Sequence, residues 1–153
     1  MYAFAATIAA NPPDAETTLN REQIWRGLVM KAEDAVPFVP AMEECHITER
    51  CEDGFIRQIK LRGMTTRERI TFTPQVEVHF DRIDDPHHGW ISNVLSDSAE
   101  GPLLTFIFAL TFPGAAPGSP REREMGEAVR ESYVAAIQGT LAETRRRVRV
   151  GTL

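Results

Sequence analysis

Between residues 49 and 80, hydrophobic and polar side chains alternate with a period of two, which is typical of half-buried β-strands. Glycine or proline interrupts the alternation at three places, and the stretch therefore predicts four consecutive antiparallel strands. One face of these strands is mostly hydrophobic. The same face carries a short row of charged residues, which is the best candidate site in the chain: Glu49, Arg57 and Glu68.

Arg62 and Gly63 separate the second of these strands from the third. A two-residue turn at this position brings the mostly apolar positions of both strands together on one face, as a strand with one buried side requires. The expected cross-strand pairs are Leu61 with Met64, Ile59 with Thr66, Arg57 with Glu68 and Phe55 with Ile70.

Two registers are possible between the first and second strands. A two-residue turn at Asp53-Gly54 would place Arg50 opposite Arg57, and like charges that face each other destabilise a strand pair. A three-residue turn with Gly54 in the left-handed conformation avoids this contact, and we predict this register. Its pairs are Cys51 with Phe55, Glu49 with Arg57, Ile47 with Ile59 and Cys45 with Leu61.

The third connection is predicted at Thr73-Pro74-Gln75, which places Phe80 opposite Glu68. The charged row then holds one guanidinium between two carboxylates. Buried ions are strongly destabilising unless they are paired. Two interpretations therefore remain open: the row lines a cavity and its members neutralise one another, or it lies solvated at the outer surface. Its apolar neighbours on the same face are Ile47, Phe55, Ile59, Ile70 and Phe80.

Three further strands are predicted outside this stretch. Residues 1–10 alternate, with the even-numbered side chains from Tyr2 to Ile8 on one face. Residues 90–95 form a sixth strand after the central four. Residues 103–112 form a seventh, which is almost entirely apolar and therefore expected to be covered in part on both faces.

Helical patterns occupy two regions of the chain. Thr18-Leu19-Asn20 offers N-caps for a helix that ends before Pro37, and a second short segment ends at Pro40. Residues 121–149 predict one long helix, opened by Ser119-Pro120. Its apolar stripe recurs every four residues and is suited to lie across a sheet. The stripe consists of Met125, Val129, Tyr133, Ile137 and Leu141.

Length and composition exclude several classes of protein. A chain of 153 residues can form one domain with its own core, and no linker divides residues 1–153. The net charge of −5 argues against a nucleic-acid partner. No apolar stretch approaches the roughly 18 residues of a membrane span. Cys45 and Cys51 would lie roughly 20 Å apart on one strand, beyond disulfide reach, which predicts free thiols and a cytoplasmic protein.

The histidines do not indicate a metal centre. His87 and His88 are adjacent, with His79 and Asp81 upstream, but no spacing matches a zinc site. Glycine-rich phosphate loops and serine elbows are missing from the sequence as well. We therefore predict no metal and no cofactor.

Asn93 and Tyr133 are polar residues within apolar patterns. Asn93 either points inward as a polar group of a cavity or satisfies backbone groups. Tyr133, on the stripe of the last helix, either offers its hydroxyl to a ligand or bonds to backbone as a core tyrosine. The sequence leaves both alternatives open.

The predicted element order is one strand, two short helical segments, six strands and a long helix, which is a helix-grip arrangement. Four short motifs accompany this order: Ile24-Trp25-Arg26-Gly27-Leu28, Phe38-Val39-Pro40, Arg67-Glu68-Arg69-Ile70 and Leu104-Thr105-Phe106-Ile107-Phe108. Over nearly its whole length the chain resembles the AtaL-like branch of the SRPBCC superfamily, which includes START domains and pollen allergens. The resemblance implies an α+β fold, with a seven-stranded antiparallel sheet curved around the C-terminal helix. It also implies a hydrophobic cavity, lined by the strands that carry Arg57 and Glu68.

Members of the wider superfamily bind lipids, sterols or polyketides, and some are cyclases or aromatase-like enzymes. The resemblance therefore implies binding of a lipid-, polyketide- or aromatic-like small molecule. The alternative is a cyclase or dehydratase of secondary metabolism that uses Glu68 as its acid or base. Since a Glu68 firmly paired with Arg57 would be a poor base near neutral pH, binding ranks first. A structural or protein-interaction role remains if side chains fill the interior.

The predicted ligand-binding residues combine the charged row with its neighbours on the same face: Glu49, Arg57, Glu68, Ile59, Ile70, Phe80, Asn93 and Tyr133. Glu68 is the catalytic candidate if the protein is an enzyme. The expected partner is a hydrophobic small molecule, with no nucleic acid and no membrane span. An exposed edge strand is compatible with a monomer or a homodimer.

Overall fold

A computed structural model describes residues 1–84, 86 and 88–153, and in these residues the chain forms seven strands and three helices. In chain order the elements are β1 (Tyr2–Ala9), α1 (Arg21–Glu33), β2 (Met42–Cys51), β3 (Gly54–Leu61), β4 (Met64–Thr73), β5 (Glu77–Arg82), β6 (Gly89–Ser98), β7 (Gly101–Leu110), α2 (Pro120–Ala128) and α3 (Arg130–Val150).

All seven strands pair antiparallel in one sheet, in the order β1-β7-β6-β5-β4-β3-β2. Sequential strands from β2 to β7 are neighbours, and β1 joins the far edge beside β7. Helix α3 contacts α1, β1 and β7, and α1 also contacts β2, β5 and β6. The helices therefore cover one face of the sheet, as the predicted α+β helix-grip fold requires.

The hairpin between β3 and β4 has the predicted register, with Arg57 opposite Glu68 and Phe55 opposite Ile70. Arg62 and Gly63 connect the two strands with φ angles of 50° and 77°. Positive φ at both central residues is the geometry of a type I′ turn, whose twist matches that of the flanking strands.

The predicted register between β2 and β3 is wrong. Cys51 pairs with Gly54, and Glu49 pairs with Ile56 before an irregularity between Ile47 and Glu49 shifts the register. A Cβ atom on Gly54 would lie only 1.9 Å from the carbonyl oxygen of Ile70. Gly54 therefore permits a close approach of β4 and lies inside its strand, whereas the prediction assigned this glycine to the turn.

The predicted register between β4 and β5 is displaced by two residues. Phe80 pairs with Ile70, and Arg82 occupies the place opposite Glu68 that was expected for Phe80. The connection ends one residue later than predicted, with Gln75 at a φ of 64°. A shift by an even number keeps every side chain on its predicted face, so Phe80 still points inward.

Helix α1 begins with a capping box: Asn20 accepts a hydrogen bond from the Gln23 backbone, and the Gln23 side chain accepts one from the Asn20 backbone. The second short helical segment is a single turn, in which the N–H groups of Phe38 and Val39 donate to the Ala35 carbonyl. The predicted C-terminal helix is bent at Val129, which separates α2 from α3.

The interior differs between its two ends. Near α1, the C-terminal half of the apolar stripe that runs along α2 and α3 packs into a filled core with Ile137 and Leu141. Toward α2, the N-terminal half of the stripe faces an open space: Met125, Val129 and Tyr133. One continuous stripe therefore supplies both core and cavity wall.

No helix in the described part of the chain is both long enough and apolar enough to span a membrane. Cys45 and Cys51 are free thiols.

Candidate ligand-binding cavity

A cavity of about 650 Å³ lies between the concave face of the sheet and the helices. Apolar side chains form most of its wall, among them Ile59, Phe80, Ile91 and Phe106. This volume falls within the range of about 300–1,000 Å³ that is usual for small-molecule sites. The interior is therefore not filled by side chains, which argues against the purely structural role.

The charged row is composed differently from the prediction. Because of the irregularity in β2, Glu49 lies exposed on the outer face, and Ile47 takes its place opposite Arg57. Because β5 is displaced, Arg82 lies opposite Glu68. The row is thus one carboxylate between two guanidinium groups, where the prediction was one guanidinium between two carboxylates.

Glu68 and Arg57 form a buried ion pair, with exposed fractions of only 1% and 4%. Nε and Nη2 of Arg57 donate to Oε2 of Glu68 at 2.9 and 2.7 Å. Oε1 of Glu68 lies 4.0 Å from Nε of Arg82, too far for a hydrogen bond. Charged groups at this depth are tolerated because they are paired and hydrogen-bonded.

Arg57 also connects the sheet to α1. Its Nη1 donates to the carbonyl oxygens of Lys31 at 3.1 Å and Ala32 at 2.9 Å, near the C-terminal end of the helix. A cation at this end is favoured by the helix dipole and satisfies carbonyls that have no partner within the helix. Arg57 therefore fixes the position of the last turn of α1 relative to Glu68.

Lys31 projects from that turn of α1 into the cavity wall and is 6% exposed. Its Nζ donates to Oδ1 of Asn93 at 2.6 Å and lies 5.1 and 4.5 Å from the ring centroids of Phe80 and Phe106. Burial and the nearby Arg57 guanidinium lower the pKa of Lys31 from 10.5 to about 7, and the opposing charges of Glu68 and Cys45 limit the change.

Two buried donors of the cavity wall have no hydrogen-bond partner among the described residues. They are Nδ2 of Asn93 and Nε of Arg82. Buried polar groups are rarely left unpaired, because each unmade hydrogen bond destabilises the fold. The two donors are therefore available to acceptor oxygens of a bound molecule.

Tyr133 faces the same space from α3. Its ring lies 4.2 Å from that of Phe108, and it lines the cavity. Burial raises the pKa of the Tyr133 hydroxyl well above its ordinary value, so this group is a neutral donor at physiological pH. No hydrogen bond holds the hydroxyl within the described part of the chain, in contrast to a core tyrosine bonded to backbone.

The structure brings six of the eight sequence-predicted residues to the cavity wall: Arg57, Ile59, Glu68, Phe80, Asn93 and Tyr133. Glu49 is excluded because it lies exposed on the other face of the sheet. Ile70 points inward but is fully buried in the hydrophobic core and does not line the cavity.

Sequence reasoning missed Lys31 and Arg82. The signal for Lys31 was its spacing, since it follows Ile24 by seven residues and Leu28 by three, which places it on the apolar face of α1. The signal for Arg82 was its alternation with Phe80 on β5. A charged residue at a position that periodicity assigns to the interior is a candidate site residue for the same reason as Arg57.

His87 of the histidine pair considered for a metal site lies outside the described residues. Among the residues that the structure describes, no group of three potential metal ligands comes together. His79 stacks on Trp90 with ring centroids 5.7 Å apart, and it lies between Glu77 and Asp81 along β5.

Comparison with solved structures places this geometry in a known fold. The Zhui aromatase/cyclase from Streptomyces sp. R1128 is similar with a TM-score of 0.68 and 21% identity, covering 98% of this chain and 97% of that chain. The di-domain ARO/CYC StfQ of the steffimycin biosynthetic pathway gives a TM-score of 0.67 and 17% identity, covering 97% of this chain and 52% of that chain. Ara h 8.0201 gives a TM-score of 0.64 and 12% identity, covering 95% of this chain and 98% of that chain.

These identities are low, and the similarities establish the helix-grip fold alone. No curated protein sequence matches the chain significantly. The sequence profile of the AtaL family, described as acetylaranotin biosynthesis cluster protein L, matches residues 4–151. The chain belongs to the AtaL family.

Proposed function

We propose that this protein binds an apolar small molecule, lipid-, polyketide- or aromatic-like, whose one polar end carries acceptor oxygens. The apolar part of the ligand lies against Ile59, Ile91 and Phe106. The polar end lies at the charged wall around Glu68. A pocket that is largely apolar with a few convergent polar groups is the usual form of a small-molecule site.

The observation that carries this proposal is the imbalance of charge and donors on the wall. Arg57 and Arg82 contribute two guanidinium groups, and Lys31 an amine, around the single buried carboxylate of Glu68. In addition, the amide of Asn93 and the Nε of Arg82 have no protein acceptor among the described residues. Such a wall favours carboxylate, carbonyl or phenolate oxygens over a pure hydrocarbon.

Ligands that share one ring system test the proposal. We expect 2-naphthoate and methyl 2-naphthyl ketone to form one-to-one adducts in native mass spectrometry, about tenfold more tightly than 2-methylnaphthalene, which corresponds to about 1.4 kcal/mol. Protein purified gently from its own cells should also release an apolar compound on denaturation.

Two tryptophan variants of α3 supply the control. Ala136 lines the cavity, so Ala136→Trp fills it and should abolish uptake. Ala142 is exposed on the same helix, and Ala142→Trp should leave uptake unchanged. Equal uptake by both variants, or no preference for the oxygen-bearing compounds, would contradict the proposal.

A second candidate function is enzymatic, with cyclase or dehydratase chemistry at Glu68. The observation in its favour is that Oε1 of Glu68 accepts no hydrogen bond from the described residues, while Oε2 accepts two from Arg57. We rank it second because a carboxylate held in an ion pair is a weak base. Glu68→Gln separates the two functions: it should abolish turnover of a carbonyl substrate with binding retained if the protein is an enzyme, and otherwise change affinity modestly.

A further inference from the structure

Lys31 is a cavity residue whose capacity as a nucleophile the binding function does not use. It lies one helical turn after Leu28 on the buried face of α1 and lines the cavity, with its Nζ hydrogen-bonded to Asn93. Within the described residues no carboxylate forms an ion pair with it. The carboxylate of the wall, Glu68, is instead paired with Arg57 and lies near Arg82.

The surroundings of Lys31 favour its neutral form. Burial removes water from the ammonium group, and Arg57, whose Nη1 lies 3.1 Å from the carbonyl oxygen of Lys31, adds a like charge. The two effects lower the pKa of Lys31 to about 7, although Glu68, Cys45 and the faces of two aromatic rings favour the cation. A large fraction of the amine is therefore unprotonated near neutral pH.

A neutral lysine amine in an apolar pocket beside a second cation is a nucleophile toward carbonyl carbon. Nζ of Lys31 donates one hydrogen bond, to Asn93, and accepts none from the described residues. Its lone pair is therefore unused by the protein. The unpaired amide N–H of Asn93, on the side chain that accepts from Nζ, is a donor for a carbonyl oxygen, and Tyr133 lines the same cavity.

We propose that Lys31 captures aldehyde or ketone ligands reversibly as an imine, an inference that rests on the proposed binding function. The Nζ lone pair attacks the carbonyl carbon, and a proton moves from nitrogen to oxygen to give a carbinolamine. The remaining N–H proton then moves to the hydroxyl oxygen, the C–O bond breaks with loss of one water molecule, and the nitrogen lone pair forms the C=N bond. No oxidant or reductant takes part, and hydrolysis reverses the step. The ligand class is an apolar carbonyl compound.

The chain offers an internal control, because Lys31 and Lys60 are its only lysines. Lys60 lies on the outer face of β3 with its side chain 36% exposed, and it pairs with Glu43 and Glu44. These partners raise the pKa of Lys60 above its ordinary value, and this keeps it protonated and unreactive at neutral pH. The N-terminal amine, paired with Glu122 at 2.6 Å, is a third site to be distinguished.

Reductive trapping tests the inference on the wild-type protein. Incubation with 2-naphthaldehyde and cyanoborohydride near neutral pH converts any imine into a stable secondary amine, and peptide mapping assigns it. We expect labelling of Lys31 to exceed that of Lys60 by about tenfold or more, because the pKa of Lys31 is lowered to about 7 and that of Lys60 is raised above its ordinary value. Lys31→Arg should remove the cavity label, and Lys60→Arg should retain it.

The corresponding alcohol separates failure of the imine from failure of the binding function. 2-Naphthylmethanol has the same ring but cannot form an imine. If the alcohol binds and the aldehyde labels Lys31 no more than Lys60, the imine inference is overturned and the proposed function stands. If 2-naphthylmethanol, methyl 2-naphthyl ketone and 2-naphthoate all fail to bind, the proposed binding function is overturned. If, in addition, the aldehyde labels Lys31 and Lys60 equally, the imine inference is overturned as well.

Discussion

The carboxylate of Glu68 shows how single residues define this site. It is 1% exposed and lies between Arg57 and Arg82, in a wall that also carries the amine of Lys31. Removing one partner of such a group leaves the other buried without compensation, which destabilises far more than the loss of a surface pair. At this scale, charge pairing limits which substitutions the protein tolerates.

The first prediction concerns the pair itself. Arg57→Met should lower the free energy of unfolding by about 3–5 kcal/mol, because Glu68 and two carbonyls of α1 lose their donor. Urea denaturation followed by circular dichroism measures the change. Arg69→Met is the matched control. Arg69 follows Glu68 on β4 but pairs with exposed Asp53 on the outer face, so we expect its replacement to change the free energy of unfolding only slightly. Similar losses in both variants would refute the structural role of the buried pair.

The second prediction concerns the pH dependence of stability through Lys31. Its folded pKa of about 7 lies below the ordinary value of 10.5, so between these values the unfolded chain binds more protons. The stability of the wild type relative to Lys31→Met should therefore rise from about pH 7 toward higher pH, by at most about 1.4 kcal/mol per pH unit.

Urea denaturation of both proteins at about pH 6, 7.5 and 9 measures the difference in their free energies of unfolding across the range in which Lys31 loses its proton. Arg57, Glu68 and Cys45 are the charged or titratable groups that interact with Lys31, and both proteins contain them. Lys60→Met is the exposed control. Parallel stability profiles for wild type and Lys31→Met would show that Lys31 remains protonated in the folded protein.

At the scale of elements, the close approach of α1 to α3 positions the cavity wall. A Cβ atom on Gly27 would lie 2.1 Å from Oγ1 of Thr144, whose hydroxyl donates to the Thr140 carbonyl. Glycine is thus required at this position by the neighbouring helix, although glycine disfavours a helix interior by about 1 kcal/mol relative to alanine. The same helix pair carries Lys31 and Tyr133 into the lining of one cavity.

The third prediction follows from this contact. Gly27→Ala should destabilise the protein by about 1–3 kcal/mol through overpacking, despite the better helix propensity of alanine. Thr144→Ala in the same chain removes the clashing atoms and should recover most of the loss, as thermal unfolding of the single and double variants would report. If Gly27→Ala were stabilising by itself, the two helices would lie further apart than the structure indicates.

At the scale of the whole molecule, the four arginines near the end of α3 have partners within the fold. Arg146 and Arg147 pair with Glu143, and Arg149 pairs with Glu16. Arg145 donates to the Thr17 carbonyl at 3.0 Å. Arg145 and Arg149 therefore join α3 to the segment after β1, whereas Arg146 and Arg147 pair within α3. The net charge of the whole chain is −5.

The fourth prediction is that the protein does not bind duplex DNA, since a protein with this charge releases few counterions. Fluorescence anisotropy with a labelled duplex at about 50 mM salt should give no saturable binding below about 100 µM. Glu143→Gln, which leaves Arg146 and Arg147 without their carboxylate, tests whether pairing or net charge prevents binding. Micromolar binding by the wild type would contradict the prediction.

Much of the fold was predictable because strand and helix periodicities are local. The alternation in β3 and β4, with a turn residue at Gly63, determined the Arg57–Glu68 pair and the face on which it lies. The stripe from Met125 to Leu141 likewise determined which side of the C-terminal helix turns inward. These features depend on residues close in sequence, and the structure confirms them.

The composition of the site was decided only in three dimensions. The irregularity before Glu49 shifts the pairing of β2 with β3, and the later end of the turn after β4 displaces β5 by two residues. Lys31 enters the cavity from a helix far from the strands in sequence. Thus the sequence determined the element order, the faces and one ion pair. Non-local packing decided the register at β2 and β5, the three basic side chains around Glu68 and the empty volume, because these depend on distances between elements that no local period specifies.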